Sequence, residues 1–133
     1  MKIERIDYWP VTMRLGKPYM ASYDTLETTT NVFLRVVTNR RLVGYGCAAP
    51  DEQVTGETAD QTLQAMRKVV EPMLRGADPL RPALLLDQLR PLLEDRPSAL
   101  AAVDMALLDL LGKKCDLPIW KLLGGFRSSI KTS

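Results

Sequence analysis

The side chains of this 133-residue chain that could take part in chemistry are three pairs of carboxylates, two cysteines and a group of aromatic residues in a polar stretch. Asp51 and Glu52 are adjacent in a segment rich in turn formers and could bind a cation or a cationic ligand group. Neighbouring side chains need not converge, so a solvated loop is the preferred reading. Glu57 and Asp60 open a helical pattern, where they could touch a substrate, but the dipole at a helix start accounts for both. Asp104 and Asp109 interrupt an otherwise apolar helix, where a buried carboxylate must find a partner. Five positions separate them, roughly 140° around a helix, too far to form one acid–base pair. Asp109 is therefore expected to make a structural hydrogen bond or salt bridge and Asp104 to be partly exposed. The chain contains no histidine, which removes imidazole bases, Ser–His pairs and His-ligated metals from its repertoire. Cys47 reads as a small strand residue with no base to activate it, and no lysine has an obvious setting as a base, Lys131 alone falling near a strand.

Tyr19, Met20 and Tyr23 differ from these, because apolar and aromatic residues within a polar stretch have no core to join unless the stretch folds over something. Covering a ligand cavity is the favoured reading.

The elements that must position these residues follow from periodicity. Residues 2–13 roughly alternate, as a half-buried strand does, and Pro10 suggests an edge or a bulge. Arg14 to Glu27, with Gly16, Pro18, Ser22 and Asp24, shows no period and reads as a long loop. Thr28–Thr38 and Arg41–Ala48 are β-rich runs joined by Asn39-Arg40, a hairpin in which Asn39 can take a positive φ. Ala49 to Gly56 is a second irregular segment. Beyond it Thr55 is a plausible helix cap, and Leu63, Met66, Val70, Met73 and Leu74 recur at helical spacing up to Gly76. Asp78-Pro79 starts a second helix through Leu84, Leu85, Leu89 and Leu92, with Pro91 a kink or break. Ser98 caps a third, from Ala99 to Leu111, so apolar that nearly every side needs covering. Pro118 opens a short last helix closed by Gly124-Gly125, after which Ser129 to Thr132 resemble the start of a strand with no partner, as though a longer polypeptide had been cut.

Composition bounds the rest. Apolar residues at 46% and charged ones at 26% describe an ordinary globular domain. A net charge of +2 with interspersed signs argues against nucleic acid as a partner. No run approaches a membrane span, and the first residues lack a signal-peptide layout, so a cytoplasmic protein with reduced Cys47 and Cys115 is expected.

The run Ala-Val-Asp-Met-Ala-Leu-Leu-Asp-Leu-Leu-Gly-Lys at 102–113, followed by Leu-Pro-Ile-Trp-Lys-Leu-Leu-Gly-Gly at 117–125, resembles the end of the capping domain in the mandelate racemase and muconate-lactonizing branch of the enolase superfamily. Lys17-Pro18-Tyr19, Val43-Gly44-Tyr45-Gly46 and Val54-Thr55-Gly56-Glu57-Thr58 carry the resemblance upstream. Gly-Cys-Ala-Ala-Pro-Asp at 46–51 looks most like dipeptide epimerases, although many relatives have glutamate where Cys47 stands and glycine near Arg40.

The resemblance implies an α+β fold, a three-stranded antiparallel meander followed by three to four helices. It places the capping domain at 1–126 and the start of a barrel strand at 127–133. The loops Arg14–Glu27 and Cys47–Gly56 would close over the active site of a C-terminal β/α barrel, with Tyr19, Met20, Tyr23, Asp24, Asp51, Val54 and Thr55 facing a small carboxylate or dipeptide substrate. Family chemistry is α-proton abstraction by barrel lysines with Mg2+ on barrel carboxylates, so neither catalytic residues nor metal ligands are expected in this chain. Asp24, Asp51 and Glu52 suggest a cationic group on the substrate. The face meant for the barrel should be bare and apolar, favouring homo-oligomers or poor solubility. The competing account is a stand-alone interaction module that keeps the capping fold and binds a protein through the same surfaces.

Overall fold

The computed structural model describes residues 1–21 and 24–132, and side chains outside 17–26. Three antiparallel strands, β1 (Ile3–Ala21), β2 (Asp24–Thr38) and β3 (Val43–Ala48), lie in the order β1-β2-β3. Alternation puts Val32, Leu34 and Val36 of β2 on the covered face, all fully buried, while Phe33 and Arg35 face the other way. On that outer face Trp9 stacks on Phe33 with centroids 6.1 Å apart, Arg35 lies over Trp9, and Asp7 pairs with both Arg5 and Arg35. Pro10 sits opposite Val32 on edge strand β1, where its missing N–H costs no ladder bond.

Of the segment expected to be a loop, Arg14 to Glu27, residues 14–21 and 24–27 are instead strand. β1 and β2 continue past the end of β3 as a two-stranded arm, pairing Val11 with Asn31, Arg14 with Thr28 and Tyr19 with Leu26. Residues 15–18 are opposed only by Glu27, an irregularity that absorbs Gly16 and Pro18. Val11, Met13 and Leu15, half-buried, still alternate with exposed Thr12, Arg14 and Gly16, and the pattern is lost where the register shifts.

The β2–β3 turn also differs from expectation. Thr38 closes a three-residue loop by donating its N–H and its hydroxyl to the Leu42 carbonyl at 3.0 and 2.9 Å. Arg41, not Asn39, takes the positive φ, at 63°. Asn39 is engaged elsewhere: its Oδ1 accepts from the Lys2 N–H at 3.0 Å and its own N–H donates to the Lys2 carbonyl.

The helical half begins with α1 (Ala59–Ala65), a π-turn (Met66–Val70) and α2 (Glu71–Leu74). Its cap is Thr58, not Thr55, in a reciprocal box with Gln61. The π-turn precedes Pro72, which cannot donate to the carbonyl four residues back; widening the preceding turn absorbs that lost bond. Met66, Val70 and Leu74 are fully buried, and Gly76, at φ 80°, ends the run. The next helix, α3 (Pro82–Leu89), starts later than Asp78-Pro79, because the Asp78 carboxylate closes a turn on the Leu80 N–H. A 3₁₀ turn (Arg90–Leu93) follows at Pro91, rotating Leu93 into the core and leaving Leu92 exposed.

The long helix α4 (Pro97–Cys115) lies against β3, and α5 (Ile119–Leu122) completes the chain's regular structure. Gly44 and Gly46 permit the close packing: a Cβ on Gly46 would stand 1.9 Å from the Ala102 carbonyl oxygen, and one on Gly44 2.3 Å from that of Ala106. Ala99, Ala102, Val103, Ala106, Leu107 and Leu110 are all buried against the sheet. The expectation that α4 needs cover on nearly every side is met incompletely, since Met105 is half exposed and Leu108 half-buried. Residues 126–132 are exposed and carry no strand pairing. No helix among the described residues is long and apolar enough to cross a membrane.

Candidate functional site

Strand direction decides where the irregular segments meet. β3 runs antiparallel to β2 and ends at Ala48 opposite Val32, so the chain leaves the sheet on the side from which the β1–β2 arm projects. A groove of about 510 Å³ lies there, lined by Thr28, Thr29 and Thr30 of the arm and by Pro50, Asp51 and Glu52 of the loop. Two neighbouring segments thus share one end of the molecule.

Asp51 organises the loop. Its carbonyl accepts from the N–H groups of Val54, Thr55 and Gly56 at 3.2, 2.8 and 3.1 Å, and its Oδ1 accepts from Gln53 and Val54 at 2.8 and 3.1 Å. The Thr55 hydroxyl accepts from the Asp51 N–H and donates to the Asp51 carbonyl. Both residues therefore have structural employment, and the polar groups turned inward leave Val54 outermost, 71% exposed. Glu52 is exposed beside them. Farther along the arm, Tyr19 and Met20 lie on β1 and Asp24 opens β2, pairing with Ala21; their side chains and the whole of Tyr23 lie outside the described residues.

Glu57, read from sequence as a carboxylate at the start of its own helix, is fully buried one residue before the cap. Oε1 accepts from the Ser98 N–H of α4 at 2.7 Å, and the Thr62 hydroxyl lies 3.1 Å from Oε2. Ser98, expected to cap α4, sits inside its first turn behind Pro97; its own hydroxyl is buried without a partner among the described residues. The signal that sequence reasoning missed is the box Thr58-x-x-Gln61, which puts Glu57 outside α1 and frees it for another helix. Asp60 occupies the first turn of α1 as the dipole requires.

Asp109 meets expectation in a specific way, together with Lys113. β3 is an edge strand, and its outward groups are met by this pair one helical turn apart. The Tyr45 N–H donates to Asp109 Oδ2 at 2.9 Å, and Lys113 Nζ donates to the Val43 carbonyl and to Asp109, both at 2.7 Å. Asp104 is half-buried. Cys47 lies in β3 and Cys115 ends α4, both as free thiols.

At the far end of α4 a second groove, about 590 Å³, is lined largely by apolar groups including Met105, Leu108, Leu117 and Ile119. Trp120, Leu123, Phe126 and Ile130 follow it in sequence and are 48, 70, 92 and 78% exposed. Among the described residues no three Asp, Glu, Cys or His side chains converge in a way that would hold a metal.

Residues 5–124 match the family described as the mandelate racemase / muconate lactonizing enzyme N-terminal domain. All of the chain aligns at 39% identity with an L-Lys-D/L-Arg epimerase of Desulforapulum autotrophicum, covering 38% of that protein. An L-Ala-D/L-Glu epimerase of Bacillus subtilis is 34% identical over 99% of the chain and 36% of its own length. Among solved structures, a dipeptide epimerase of Methylococcus capsulatus complexed with Mg and the dipeptide L-Arg-D-Lys superposes with a TM-score of 0.93 at 33% identity, over 100% of this chain and 38% of that one. One from Enterococcus faecalis V583, complexed with Mg and L-Leu-L-Tyr, gives 0.93 at 28%, over 100% and 37%. The chain spans little more than a third of the length of the curated relatives it matches.

Proposed function

Because this chain belongs to the family of mandelate racemase and muconate lactonizing enzyme N-terminal domains, we propose that it is the substrate-selecting cap of a dipeptide epimerase. The observation that carries this reading is the convergence of the β1–β2 arm and the Asp51–Gly56 loop on one groove, at one end of a fold whose α4–α5 side is left apolar and uncovered. A lid needs both: a recognising end and a flank that seats on the domain it closes. That second domain is a C-terminal β/α barrel, with the domain boundary near residue 126 and residues 127–133 leading into its first strand. Proton abstraction from the carbon next to the substrate carboxylate, and the Mg2+ that assists it, are assigned to the barrel.

The substrate class is a dipeptide with a cationic side chain. Glu52 supports this, exposed on the groove, as does the name of the Desulforapulum relative, an L-Lys-D/L-Arg epimerase. Asp24 is a second candidate contact. Asp51 contributes less, since Oδ1 is already taken by two N–H groups of its own loop. Val54, the outermost residue of that loop, supplies apolar cover over the side-chain stem, and Tyr19, Met20 and Tyr23 are further candidate contacts.

The test joins this domain to the remaining portion of the Desulforapulum epimerase in place of that protein's own cap. Mg2+-dependent exchange of the α-proton of Lys- and Arg-containing dipeptides with D2O is expected, read by mass spectrometry. A folded chimera that exchanges no dipeptide at all refutes the lid reading. Glu52→Gln should raise KM for cationic dipeptides about tenfold, the roughly 1.4 kcal/mol of one charge-assisted contact, with neutral dipeptides unaffected.

A further inference from the structure

We propose that Glu57 is a positioning residue, which ties the Asp51–Gly56 loop to the amino-terminal turn of α4 so that the loop stands preformed. The loop is stiff within itself, because five hydrogen bonds from its backbone N–H groups end on Asp51. A body of that kind reorients only at its two attachments. One is Ala48, fully buried in β3; the other is Glu57, fully buried directly after Gly56.

The chemistry of the second attachment is unusual for a helix cap. The first turn of a helix has N–H groups without partners, and a Ser, Thr, Asp or Asn at the cap position normally serves them. Here that position holds Arg96, which makes no side-chain cap bond, and the acceptor comes from 41 residues earlier in the chain. Burying a carboxylate carries a desolvation penalty that its hydrogen bonds must offset. A serine at position 96 would meet the local need without that penalty, so what the buried Glu57 adds is the link between two distant segments. Its two oxygens divide the work, Oε1 holding α4 through Ser98 and Oε2 facing Thr62 of α1. The loop root is thereby fixed against two helices at once. That this stiffness serves substrate selection rests on the lid reading above; the tether itself does not.

Amide hydrogen exchange on the chain without substrate tests it, so silence of the chimera and failure here are separate results. In Glu57→Ala the amides of Val54, Thr55, Gly56 and Ser98 should exchange about tenfold faster relative to those of Val32, Leu34 and Val36 in β2. Glu57→Gln keeps an acceptor at that site and should show a smaller rise, which also serves if the alanine variant does not fold. Leu89→Ala, which only removes packing, should speed loop and sheet alike. Loop amides that move no further than the sheet in both Glu57 variants overturn the proposal, because Glu57 would then contribute general stability alone.

Discussion

Gly46 and Asp109 show how single side chains, or their absence, set the distance between α4 and the sheet. A methyl group on Gly46 has nowhere to go, since its carbon would overlap the Ala102 carbonyl, and a backbone carbonyl in mid-helix cannot rotate aside. Gly46→Ala should therefore cost about 3 kcal/mol, the upper part of the range for overpacking, measured by urea unfolding. A loss below about 1 kcal/mol would mean that α4 can slide on β3. Asp109 was readable from sequence as a carboxylate in need of a partner, and it has two. Glu57 was readable only in part: the Thr58-x-x-Gln61 box places it outside α1, but nothing local names a donor 41 residues away. Asp51, Val54 and Thr55 were singled out as one group of lid residues; the structure gives Asp51 and Thr55 to the loop's own bonds and leaves Val54 outermost.

Elements built on a buried face were visible in the sequence, and those built on backbone pairing alone were not. Thr28–Thr38, the helix ending before Gly76 and the apolar stretch of α4 all carry a period because one side of each meets the core. The β1–β2 arm carries only a short one: no described residue from Val11 to Asn31 enters that core, and the alternation of half-buried Val11, Met13 and Leu15 with exposed Thr12, Arg14 and Gly16 stops at the irregularity in β1. Helix starts shifted for a related reason, since Thr55, Asp78 and Ser98 each have capping chemistry but spend it on a loop, a turn or nothing. At β3 the Asp109–Lys113 pair imitates one residue of a missing fourth strand, with carboxylate for carbonyl and ammonium for N–H. Free strand edges invite pairing with other chains. Asp109→Ala together with Lys113→Ala should lower stability by about 1–2 kcal/mol and raise thioflavin-positive aggregation on mild heating. Unchanged aggregation would show that α4 shields the edge without those two side chains.

The molecule as a whole has a groove between arm and loop at one end and an exposed apolar flank along α4 and α5. Monomeric proteins seldom leave a contiguous apolar patch beyond a few hundred Å², and Met105, Leu117, Trp120, Leu123 and Phe126 are all exposed on the α4–α5 side. The chain alone should self-associate, its sedimentation coefficient rising with concentration. Leu123→Lys with Phe126→Glu should restore the monomer without changing the urea midpoint, because neither side chain is part of the core. A monomer at all concentrations in the unaltered chain would contradict the seating role given to this flank.

The overhang of β1 and β2 beyond Ala48 resembles a cantilever, anchored at the sheet and unsupported by a third strand along its length. Such a beam can exchange its residues with little penalty to the interior that anchors it. Under the proposed lid role, recognition and folding would fall to separate stretches of one polypeptide, and ligand preference could drift among related chains while the architecture beneath stays constant.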